Sequence, residues 1–196
     1  YLAPTSFYID VNVNGTKTKF IFQEKINKIL VESNNFKEGP ILEAYENIAW
    51  GETGWFTSDT ILPPKINNKI WLRKSEDNLE LAKHSIEKVF KLLIYGVDNS
   101  NYDYLMCENC LLNYDTLEIE NANYLKEFQL IMTVLRAHRG INFSDRKYYI
   151  DPLTEFLYPV YYDGTAELLI YNYQTQKWEL TKDELGLKAH LGKVPI

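Results

Sequence analysis

The chain has 196 residues and a formal net charge of −6, from 27 acidic against 21 basic side chains. The basic residues are scattered, which excludes the electrostatic footprint of a nucleic-acid binder. No run nears the roughly 18 apolar residues that span a bilayer, and no signal-peptide pattern opens the chain, so a soluble segment without membrane insertion is expected. The length suits one domain or two trimmed lobes, because such lobes need on the order of 100 residues each. A start at Tyr1 rather than Met suggests a piece of a longer chain or a processed product.

Phe7, Ile9, Val11 and Val13 alternate with Tyr8, Asp10, Asn12 and Asn14, the period of a half-buried strand. Asn14-Gly15 supplies the two positive-φ residues of a type I′ turn, and Lys19-Phe20-Ile21-Phe22 begins the return strand. Gln23-Glu24-Lys25-Ile26 and a polar run follow, broken at Glu38-Gly39-Pro40. Residues 1–40 read as a hairpin plus a hinge-like segment, and 41–196 as a second, mainly helical unit.

Ile41 to Ile48 reads as a short helix, and Pro63-Pro64 and Asn67-Asn68 as loop punctuation. Trp50, Trp55 and Trp71 are expected to cover the core; an aromatic sugar-stacking platform is the sharper alternative. A helix then opens at Ser75 as N-cap, with Glu76 and Asp77 in its first turn, and ends at Gly96. Its apolar side carries Leu79, Ile86, Phe90, Leu93 and Ile94.

Cys107 and Cys110 form one Cys-x-x-Cys without the further ligands that structural zinc needs, since His84, His138 and His190 lie far apart. Two reduced thiols near an apolar cluster are the simpler reading, and a reducing, cytoplasmic location follows. A second helix is predicted from about Ile119 to Ala137, with Tyr124, Phe128, Ile131 and Leu135 on the buried face and Leu125 and Met132 widening it. It delivers His138-Arg139-Gly140 to its end, where Gly140 is expected as a left-handed C-terminal cap.

Lys147 to Ile150 and Leu157 to Tyr161 are β-prone runs joined by the turn segment Asp151 to Glu155. Their layout puts the loop before them and Asp163 after them at one end of the hairpin. Asp145 and Asp163 are then a pair of oxygen ligands of the kind magnesium uses together with substrate phosphates. Arg146 and Lys147 could steady phosphate oxygens. Leu168 to Tyr173 and Lys177 to Leu180 read as a third hairpin, followed by a short helix in the tail.

The run from His138 to Gly164 is laid out like the catalytic and metal-binding segments of a phosphotransferase. Protein kinases carry H-R-D-L-x-x-x-N and later D-F-G. Here His138-Arg139 precedes Asp145 in the Asn position, Tyr162-Asp163-Gly164 matches D-F-G, and Gly140 stands where the catalytic Asp would be.

Together with Val13-Asn14-Gly15, Phe22-Gln23-Glu24, Asn142 to Tyr149, Asp151-Pro152 and Pro159-Val160-Tyr161-Tyr162-Asp163, this order resembles the CotH-type atypical kinases, relatives of spore-coat protein kinases, over residues 7 to 165. The resemblance implies an α+β, atypical protein-kinase-like fragment: the end of an N-lobe over 1–40, then a C-lobe-like unit with a hairpin beside the cleft. ATP and Mg²⁺ would be the cofactors, and a protein or glycan hydroxyl the acceptor. The site would comprise His138, Asn142, Asp145, Arg146 and Lys147, with metal at Asp145 and Asp163 and Glu24 beside the adenine pocket. The family's N-lobe lysine and its partner helix have no match in this chain. Two alternatives stand beside this reading. One is a pseudokinase scaffold, for which Gly140 argues; the other is an aromatic surface or glycan-interaction module, suggested by 15 Tyr and 4 Trp.

Overall fold

The computed structural model describes residues 1–45, 63–96, 112, 114–117, 119–135, 137–141, 145–162, 169–172, 174 and 176–180. The architecture is mixed α+β, and among the described residues no helix is long and apolar enough to cross a membrane. The expected helix ending the chain, the Cys107/Cys110 pair, Trp50 and Trp55 lie outside the described residues.

Strands β1 (Ser6–Val13) and β2 (Thr16–Gln23) form the predicted antiparallel ribbon, with Asn14 and Gly15 both at positive φ, 52° and 86°, as a type I′ turn demands. The expectation of a half-buried strand is corrected. Both faces of the ribbon are exposed, Tyr8 on one by 73% and Phe22 on the other by 51% of their surface. Its base is closed by the Glu24 N–H donating to the Thr5 carbonyl at 2.8 Å, and by the Thr5 N–H donating to the Glu24 carboxylate at 3.1 Å.

The segment read as hinge contains a short helix, α1 (Lys28–Ser33), capped by Asn27, whose side-chain oxygen accepts from the Ile29 N–H at 2.8 Å. The helix expected from Ile41 is also corrected: Ile41–Ala44 is strand β3, the inner strand between β4 (Pro64–Ile66) and β5 (Lys147–Ile150). With β6 (Leu157–Val160) these make a four-stranded antiparallel sheet in the order β4-β3-β5-β6. A four-residue apolar run carries too little periodicity to tell helix from strand, and pairing on both edges decides it. The β1–β2 ribbon and the β5–β6 hairpin therefore lie in different sheets. A third ribbon, β7 (Leu169–Asn172) with β8 (Lys177–Leu180), matches the predicted last hairpin.

Each face of the four-stranded sheet is covered. On one side Leu42, Ile66, Tyr148, Ile150 and Leu157 meet Trp71 of α2 (Lys69–Leu72) and Val89, Leu92 and Leu93 of α3 (Glu76–Tyr95). On the other, Ile41, Tyr149 and Val160 meet Leu2, Ile26 and the α1 residues Leu30 and Val31. A fully buried aliphatic side chain contributes about 1.5–3 kcal/mol, so these two clusters hold the body together.

Ser75 caps α3 as predicted, its hydroxyl accepting from the Asn78 N–H at 3.1 Å. The buried stripe differs from the one expected. It is Ala82, Ser85, Val89, Leu92 and Leu93, whereas Leu79 and Ile94 are exposed. Small residues at 82 and 85 let the helix approach the sheet, and the Ser85 hydroxyl is satisfied by donating to the Leu81 carbonyl at 2.6 Å. Helix α4 (Ala122–Val134) likewise buries Leu125, Phe128, Gln129, Met132 and Thr133, leaving Ile131 exposed.

Three side-chain amides tie distant backbone together. Asn68 accepts from the Ile41 N–H at 3.0 Å and donates to the Gly39 carbonyl at 2.8 Å. Asn121 does the same for Leu157, donating at 2.6 Å and accepting at 3.3 Å, and Gln129 accepts from and donates to Leu112 at 2.9 and 3.3 Å. Each satisfies a backbone donor and acceptor that no neighbouring strand reaches.

Candidate active site

Helix α4 stops at Val134, with Leu135 as C-cap in the right-handed region. The chain then turns through Ala137, whose N–H donates to the Met132 carbonyl at 2.8 Å, into a 3₁₀ turn at His138–Ile141. Gly140 sits buried inside that turn, its N–H donating to the Ala137 carbonyl at 3.1 Å. The left-handed cap expected of it is corrected, since Gly15 is the positive-φ glycine among the described residues. Gly140 is buried in the turn that leads into Ile141, and no left-handed backbone accounts for a glycine there.

From this turn the chain reaches Asp145, half-buried in a turn, then Arg146 and Lys147 at the start of β5. Arg146 is 6% exposed, and its Nε donates to the Ile141 carbonyl at 2.5 Å. The guanidinium thus links the start of β5 to the last residue of the His138–Ile141 turn. Close by, the buried Tyr114 phenol is held well above its ordinary pKa, first by burial, then by the neighbouring Tyr148.

Lys147 points across the sheet rather than into the loop. Its Nζ is 2.8 Å from a Glu43 carboxylate oxygen and 4.1 Å from the centre of the Tyr162 ring. Glu24 stands at the base of the ribbon, its carboxylate taken up by the Thr5 N–H. Of the expected site, then, Asp145, Arg146 and Lys147 are consecutive at the mouth of β5 and linked to the His138–Ile141 turn, and Glu24 belongs to a separate clamp. The side chains of His138 and Arg139, and the whole of Asn142 and Asp163, lie outside the described residues.

Two polar features escaped sequence reading. Glu43, Lys65 and Lys147 come together from three strands, a meeting that only the cross-strand register produces. The alternation of Lys65 with Pro64 and Ile66 was its one faint signal. The second is a groove of about 610 Å³ between α3 and the β5–β6 turn, lined by His84, Lys88, Lys91, Thr154 and Glu155 among others. It lies at the far end of the hairpin from Lys147, and His84 and Glu155, 3.4 Å apart, pair at the surface, where such contacts contribute little. The chemistry-bearing residues are at the opposite end, and the candidate site is placed there.

Compared with known proteins, the chain matches no family model, no curated protein and no solved structure.

Proposed function

We propose that this chain is part of an ATP- and Mg²⁺-dependent phosphotransferase of the CotH kinase-like type, acting on a protein or glycan hydroxyl. The observation that carries the reading is the buried Arg146, which ties the start of β5 to Ile141 at the end of the His138–Ile141 turn, with Asp145 half-buried beside it. Phosphoryl transfer asks a protein mainly for positioning and charge compensation, and the Arg146 tie to Ile141 supports the first. Asp145 and Asp163 offer the hard oxygen donors that magnesium takes, and they would hold it. The ion, when bound, offsets charge on the phosphate oxygens. With glycine at 140 no carboxylate stands in the usual base position, so the acceptor hydroxyl would give its proton to water as its oxygen bonds to the γ-phosphorus of ATP and the bond from that phosphorus to the departing ADP oxygen breaks. General-base help is worth about 10²–10⁴-fold, and turnover is slow by about that margin.

A thermal-shift titration with ATP and Mg²⁺ tests the reading, since ligand at about 100 times Kd stabilises the folded state by about 2.7 kcal/mol. Asp163→Asn should remove the Mg²⁺-dependent part of the shift, and Asp145→Ala the transfer. Binding without transfer would make the protein a pseudokinase scaffold; absence of both would leave an interaction module. The ribbon favours that last reading in one respect, because its apolar rows Phe7, Ile9, Val13, Phe20 and Phe22 are exposed.

A further inference from the structure

On the α1 face of the four-stranded sheet, three charged side chains lie side by side. Glu43 on β3 is in register with Lys65 on β4 and with Lys147 on β5. Its carboxylate is saturated: one oxygen is 3.3 Å from Lys65 Nζ, and the other accepts from Lys147 Nζ at 2.8 Å and from the Asn67 amide at 3.1 Å. The side chains of Lys147, Glu43 and Lys65 keep only 10%, 19% and 29% of their surface exposed. Among the described residues Glu43 is the single carboxylate within ion-pair reach of either ammonium.

One carboxylate cannot neutralise two ammonium groups, so among the described residues the cluster holds an excess positive charge in a largely covered place. Such a charge is costly unless a counter-charge meets it. The Tyr162 and Tyr45 rings, 4.1 and 5.2 Å from the two ammonium groups, offset part of that cost but carry no net charge. Each ammonium has three N–H donors, more than its contact with Glu43 uses. Their convergence on one carboxylate from both sides sets two cation donors within reach of a single polyoxygen anion.

We propose that Lys65 and Lys147, gathered by Glu43, form a subsite for the oxygens of a phosphate or pyrophosphate group. Lysine binds phosphate as a point charge and does not need the planar fit that arginine requires. Position supports the choice of ligand. Lys147 follows Asp145 by two residues and Tyr162 directly precedes Asp163, so the cluster adjoins in sequence both residues given to magnesium above. The subsite rests on the phosphotransferase reading only for the identity of the larger molecule that carries the phosphate.

The test is calorimetric titration of the chain with inorganic pyrophosphate in the presence of a chelator, at low salt, followed by titration with ATP and Mg²⁺. Pyrophosphate should bind the wild type, with affinity falling as salt rises. Lys65→Met and Lys147→Met should each weaken it about tenfold or more, the scale of a hydrogen bond to a charged group. Glu43→Gln should strengthen it, because it removes the carboxylate that competes for both ammonium groups. Should Lys147→Met fail to fold, the more exposed Lys65→Met and the isosteric Glu43→Gln carry the same comparison. Absent pyrophosphate binding, or binding that all variants share, overturns the subsite. ATP and Mg²⁺ binding equally to wild type and to the lysine variants also overturns it while leaving the phosphotransferase reading in place. Lysine-dependent pyrophosphate binding without any binding of ATP and Mg²⁺ does the reverse.

Discussion

The Tyr149 hydroxyl donates to the Lys37 carbonyl at 2.6 Å, joining the middle of β5 to the segment that leads into β3 across 112 positions of sequence. Burial raises the Tyr149 phenol far above its ordinary pKa, with the Asp151 carboxylate and Tyr158 adding to the shift. The Tyr124 phenol is pushed up to about 12, again first by burial.

These raised values predict an alkaline limit to stability. A phenol whose folded pKa exceeds its unfolded value of about 10 contributes fully below pH 10, and that contribution is lost as pH rises through the folded value. Denaturant midpoints should therefore hold steady up to about pH 10 and fall steeply toward about 12, the Tyr124 value. Tyr149→Phe should lower stability by about 1 kcal/mol at pH 7 through the lost hydrogen bond, yet flatten the alkaline fall. A slope unchanged from wild type would remove Tyr149 from the account.

Gly39 is a second sharp test. A Cβ built there would lie 2.5 Å from the Ile150 carbonyl oxygen, 2.8 Å from Pro152 Cδ and 3.0 Å from the Tyr149 ring. The nearest of these is backbone, so it cannot swing aside. Gly39→Ala should destabilise the body by about 1–3 kcal/mol or more in urea unfolding, as overpacking does.

Arg146→Met keeps the bulk of the side chain but leaves the Ile141 carbonyl without its Nε donor. A loss of about 1–3 kcal/mol is expected, and Arg146→Lys should not restore it, because an ammonium lacks the planar fork. If the loop matters for chemistry, the same variants should lose ATP- and Mg²⁺-dependent transfer more than they lose thermal stability.

The ribbon should behave as a separate unit. Gly15 sits at φ 86°, where a side chain is disfavoured, and its surroundings are open. Gly15→Ala should therefore act by strain alone, at about 1 kcal/mol. Amide hydrogen exchange should quicken across Phe7 to Phe22 while amides of β3 and β5 keep their protection, because a two-stranded ribbon exposed on both faces opens by itself. Uniform loss across both regions would show that ribbon and body unfold together.

Local chemistry accounts for what was legible in the sequence alone. Asn14-Gly15 demanded a turn whose φ values other residues resist, Ser75 offered a cap followed by two acids, and the aromatic runs around Asp151-Pro152 could hardly be anything but a hairpin. Tertiary structure decided the rest. Ile41–Ala44 is a strand because β4 and β5 pair with it on both edges, which sets Glu43 opposite Lys65 on one side and opposite Lys147, 104 positions away, on the other. The buried stripe of α3 follows small Ala82 and Ser85 rather than the larger Leu79 and Ile94, because closeness to the sheet outweighs hydrophobicity at a single position. The ribbon's alternation looked half-buried, yet alternation states only which residues share a face, and burial depends on what covers it. The gathering of two lysines on one glutamate left only the faint alternation of Lys65 with its apolar neighbours as a sign, since it arises from register between strands that the sequence keeps far apart.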